Sequence, residues 1–152
     1  MYRDEDSATL LVPTETDPPI QVIDAWVSVT LRALPAPERL RALLVAHELA
    51  VAARERRAAP YVVRLSVVDR HRTLAVAVDE ATAGATAGAT AGATAESISA
   101  GALLVAALSG RHGVEQRARA RTTWAELPFD VGRLRLLPPH QPRPGTDRRG
   151  AR

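Results

Sequence analysis

Few residues of this chain have the type and spacing to do chemistry. Glu48 sits inside a helical pattern next to His47. A carboxylate there could orient a water or accept a hydroxyl proton, although a glutamate on a helix is by default solvated or ion-paired. His47 on an apolar face and His112 before a strand read as structural, because no cluster of carboxylates accompanies either at metal-ligand spacing. The chain has no cysteine, which excludes disulfides, thiolate metal sites and a cysteine nucleophile. It also has no lysine, since its 20 strong bases are all arginine, so a Walker-type phosphate loop is excluded. No Ser/His/Asp set follows from spacing. Trp124 lies in a strand and reads as core, and Arg54, Arg56 and Arg57 read as a solvated helix end.

The elements that must position these residues are legible from periodicity. Ala8 to Val12 is a short apolar strand ended by Pro13, and residues 14–19 form a loop. Ile20, Ile23, Val27, Thr30, Leu31 and Leu34 recur at three- and four-residue spacing, the signature of a helix with one apolar face. Pro35 and Pro37 separate it from a second helix over about 37–57. Residues 61–68 and 74–78 alternate apolar and polar around a short polar turn, which predicts a β-hairpin. An Ala-Thr-Ala-Gly repeat fills residues 81–95. Its regular glycines and threonines disfavour a helix, so it reads as a low-complexity loop. Gly84, Gly88 and Gly92 fit the spacing of a membrane-helix contact, but the run lacks large apolar residues. A third helix over 99–109 stops at Gly110. Residues 114–120 and 122–127 predict a second hairpin, ended by Pro128.

The chain has 152 residues, of which 46% are hydrophobic and only 3% aromatic. It can therefore bury a core, and must build it from aliphatic side chains. The net charge of +3 is not evidence for nucleic acid. Much of the excess falls in a Pro/Arg-rich stretch after Asp130, with no aromatic interleaving. The acidic start argues against a secretory signal, and no apolar run is long enough to span a bilayer. These features point to a cytoplasmic protein with no membrane partner. The element order predicts an α+β fold, a two-layer sandwich in which a mixed, mainly antiparallel sheet is covered on one face by helices. The domain spans 20–130, between an N-terminal segment (1–19) with an edge strand and a flexible tail (131–152).

This order, and several of its sequence words, resemble the histidine kinase-like (GHKL) ATPase superfamily, in particular small actinobacterial ATP-binding proteins similar to anti-sigma-factor serine kinases. The resemblance covers about 20–128. It is most specific over Ser99 to Val114, a glycine turn, a leucine-rich helix and a Gly-Val strand, and over Arg121 to Pro128. In the family's helical motif, roughly Glu-Leu-Val-Thr-Asn-Ala, this chain has Glu48, Leu49, Ala50, Val51, Ala52 and Ala53. Glu48 matches the catalytic acid. Ala52 replaces the asparagine whose carbonyl helps hold Mg²⁺, and a methyl group cannot ligate a cation that demands oxygen. Asp79 or Glu80 falls near the aspartate that accepts from the adenine amino group, without the glycines that normally follow. Gly101 is the one glycine left of the phosphate-cradling turn at a helix N-terminus, where Ser99 could act as an N-cap. Thr122 matches a threonine that supports the adenine pocket. The repeat at 81–95 stands where the family has its ATP lid.

The resemblance implies ATP and Mg²⁺ as cofactors, with a metal ligand lost at Ala52, and a sigma factor or an anti-sigma-factor antagonist as protein partner. It is compatible with a homodimer. The expectation is an ATP-binding regulatory protein that, if active, phosphorylates serine or threonine of its partner. The competing expectation keeps the fold without the chemistry, as a nucleotide-free interaction module in transcriptional regulation.

Overall fold

The computed structural model describes residues 6–68, 72–82, 99–129, 134 and 136. The chain order is β1 (Asp6–Val12), α1 (Ile20–Thr30), α2 (Ala36–Glu55), β2 (Tyr61–Val68), β3 (Thr73–Ala81), α3 (Ala100–Leu108), β4 (Arg111–Arg117) and β5 (Ala120–Leu127). The strands form one open sheet in the order β1-β2-β3-β5-β4. All four ladders are antiparallel, so the sheet is not mixed. Among the described residues, three helices and this sheet make an α+β two-layer sandwich.

Strand alternation divides the sheet into a packed face and an opposite face. On β2, Tyr61, Val63, Leu65 and Val67 are buried, and on β3 so are Leu74, Val76 and Val78. These side chains meet α2, whose inner face is Ala42, Val45, Ala46, Leu49, Ala50 and Ala53. Four small alanines in that stripe let the helix axis lie close to the sheet, which suits a core with so few aromatic rings. Ile23 and Val27 bring α1 against the same core.

α2 ends in a Schellman turn. Arg57 adopts φ 54°, its amide donates to the Arg54 carbonyl at 2.9 Å, and Ala58 donates to the Ala53 carbonyl at 3.0 Å. α3 begins at Ser99, whose hydroxyl accepts from the Ala102 amide at 3.1 Å.

Three expectations from sequence change. β3 runs on to Ala81, so Asp79 and Glu80 are strand residues with opposite facing. β4 starts at Arg111 and ends at Arg117, three residues earlier than periodicity alone indicates. Gly113 makes this possible, because a Cβ there would stand 3.0 Å from the Trp124 ring across the ladder. Leu134 and Leu136, placed by sequence in the tail, are buried members of the core, and the Leu136 amide donates to Asp6 Oδ2 at 2.9 Å. Residues 83–95 of the repeat lie outside the described residues, as does the rest of the stretch assigned to the tail. Among the described residues, no helix is long and apolar enough to cross a membrane.

Candidate functional site

Glu48 lies on the side of α2 turned toward α3. Residues 44, 48, 52 and 56 follow at four-residue intervals and form one stripe along the helix. Leu44, Glu48, Ala52 and Arg56 therefore follow one another toward the helix C-terminus. Gly101, in the first turn of α3, packs directly on this stripe. A methyl group built on it would overlap Glu48 Oε2 and lie 3.2 Å from Glu48 Cδ. The carboxylate thus rests on the N-terminal turn of α3, where unpaired backbone N–H groups and the helix dipole favour negative charge.

Glu80 faces the same side from the end of β3. Its side chain is 4% exposed and is held by Arg56, whose Nη2 donates to Oε1 and whose Nε donates to Oε2 at 3.4 Å. Two donors from one guanidinium satisfy both carboxylate oxygens, the arrangement a buried acid requires. Its ladder neighbours are Tyr61 on β2 and Arg121 on β5. Close by, Thr123 faces the helices in alternation with Ala125 and Leu127, and its Oγ1 is buried with no hydrogen-bond partner.

Asp79 points the other way. On the opposite face of the sheet it accepts from Thr122 Oγ1 at 2.7 Å and from Arg64 Nε at 3.0 Å, with Arg64 Nη2 at 3.4 Å. Thr122 on β5 is the ladder partner of Asp79, and Arg64 on β2, opposite Ala77, reaches it diagonally. The structure therefore brings the residues singled out from sequence together in two pairs. Glu48 meets Gly101 in the helical layer, and Asp79 meets Thr122 across the sheet. Glu80 stands on the side of the first pair, bound to arginine.

Ala52 is half-buried between Glu48 and Arg56. Magnesium calls for several oxygen donors in near-octahedral array. The residues here do not fit it, because the α2 position presents a methyl group and Glu80 is committed to a guanidinium. Among the described residues, no group of three or more His, Asp and Glu side chains could hold a metal ion.

Sequence reasoning missed Arg56 and Arg64, the partners of the two β3 carboxylates. The signals were present. Arg56 lies two turns after Glu48 on one stripe, and Arg64 stands across the β2–β3 ladder, two register positions away on the same face as Asp79. The helix end is not simply solvated either, since Arg54 Nε donates to Tyr61 Oη at 3.2 Å and Arg54 Nη2 donates to the Pro18 carbonyl. His47 Nδ1 lies 3.1 Å from both Asp24 carboxylate oxygens and ties α2 to α1, a structural role. Comparison of the chain with models of known protein families and with curated protein sequences found no match.

Proposed function

We propose that this chain is a cytoplasmic regulatory domain of the histidine kinase-like ATPase type that works through protein contact and not through phosphoryl transfer. Its partner on this reading is a sigma factor or an anti-sigma-factor antagonist. The observation that carries it is the commitment of Glu80 to Arg56, beside a position, Ala52, that offers no metal ligand. Asp79 is likewise engaged by Arg64 and Thr122. A triphosphate needs cations that are not already neutralised, and an adenine amino group would have to compete with the guanidinium and hydroxyl already on Asp79.

A second reading has its own support. Glu48 and Gly101 are far apart in sequence and adjacent in space, as an ATP-binding domain with a catalytic acid near its phosphate turn would require.

Calorimetric titration with ATP and with ADP, with and without Mg²⁺, separates the two, with the Ala52→Asn variant run beside the wild type. The proposal expects no heat of binding at millimolar nucleotide for the wild type. Magnesium-dependent binding by the wild type would overturn it in favour of the ATP-binding reading. Binding by Ala52→Asn alone would mean that a pocket persists whose metal site has been lost.

A further inference from the structure

β4 closes the sheet on the side of α3, and among the described residues no strand lies beyond it. Its seven residues pair one-to-one with β5 without a bulge. All but Gly113 are exposed. An edge of this kind presents a row of backbone donors and acceptors to any strand that can approach it. Proteins commonly block such edges with proline, with a bulge or with charged side chains. β4 has neither proline nor bulge, and its charges alternate in sign, with Arg111, Glu115 and Arg117 all on the face that carries Gly113 and Trp124.

From this pattern we infer that β4 is a self-association edge, and that a second copy of the chain pairs with it antiparallel about a two-fold axis through Gly113. In that register Arg111 of each copy stands directly opposite Glu115 of the other, twice by symmetry, and no like charges face one another. Registers centred on neighbouring residues do worse. Centring on Val114 sets Arg111 against Arg117 in both directions, and centring on Glu115 sets Glu115 against itself. The Gly113 register also places His112 opposite Val114 on the helix-covered face. Val114 there is 49% exposed, and Leu103 on the adjoining α3 is 58% exposed, so apolar surface flanks the strand edge that the second copy would cover. The two five-stranded sheets become one ten-stranded sheet. The inference does not depend on nucleotide.

Sedimentation velocity on the full chain over a micromolar to submillimolar range tests it, with circular dichroism as a check on folding. The wild type is expected to dimerise reversibly. Arg111→Glu and Glu115→Arg each create two like-charge pairs and should raise the dissociation constant about tenfold or more, and the doubly exchanged variant should recover affinity. A monomeric wild type overturns the inference, as does a dimer indifferent to both single exchanges. Because Arg111 also pairs with Glu126 at 3.5 Å and stacks on Trp124, and Glu115 Oε1 accepts from Arg117 Nη2 at 2.6 Å and Nε at 2.9 Å, a second test leaves those contacts intact. The chain has no cysteine of its own. Mixing His112→Cys and Val114→Cys proteins under oxidation should therefore give a disulfide-linked heterodimer, in excess of either homodimer. Equal yields in all three combinations would refute the register.

Discussion

Glu80 holds a charge in the helix–sheet interface because one guanidinium reaches both of its oxygens. The pair is not symmetrical in its sensitivity. Removing Arg56 leaves a carboxylate at 4% exposure without its cation, whereas Asp79, about a third exposed, keeps both Thr122 and solvent when Arg64 is removed. Arg56→Ala should therefore lower the unfolding free energy by about 3 kcal/mol, and Arg64→Ala by about 1 kcal/mol or less. Urea denaturation of the two variants checks the ordering, and equal losses would contradict it. At this scale the sequence was partly legible. Glu48, Ala52 and Gly101 stood out because short motifs mark them. Arg56 and Arg64 did not, because nothing local distinguishes a paired arginine from a solvated one. Their roles arise from a helix stripe and a ladder register that only the folded chain defines.

Elements were read more securely than their ends. The three helices and both hairpins follow from periodicity, but the inner face of α2 does not, since Leu40 and Leu44 are exposed and four alanines with Val45 and Leu49 face the core. The ends depend on contacts that periodicity does not encode. β4 begins at Arg111 because Trp124 lies on Gly113, and β3 runs through Asp79 and Glu80 because β5 pairs with both. The end of α2 has a different peculiarity. Its Schellman turn places Arg57 at positive φ, a conformation that costs a side-chain-bearing residue roughly 1 kcal/mol and glycine little. Arg57→Gly should accordingly raise the unfolding free energy by about 1 kcal/mol, measured by thermal or chemical denaturation. A loss of stability would mean that the Arg57 side chain contributes more than its backbone costs.

The whole molecule is more continuous than its composition indicates. The Pro/Arg-rich stretch after Asp130 reads as a tail because charge and proline dominate it, yet Leu134 and Leu136 are 4% and 2% exposed. Two leucines among arginines do not register as a core signal when no periodic element contains them. Leu136→Ala should cost about 2–5 kcal/mol, and Leu134→Ala a similar amount, as read from denaturant midpoints. Unchanged midpoints would return these residues to the tail. The latch between the Leu136 amide and Asp6 bears on the topology of the chain as well. It sets the last described residue against the opening of the first strand, so that the path through the fold comes back nearly to its start. Among the described residues, the last therefore lies beside the first. The written order of its elements is then one of several cyclic orders that could build the same sandwich. A short linker joining residues 136 and 6 across that latch, with new ends opened at the β4–β5 turn at residues 118–119, is a circular permutant that keeps every described strand whole.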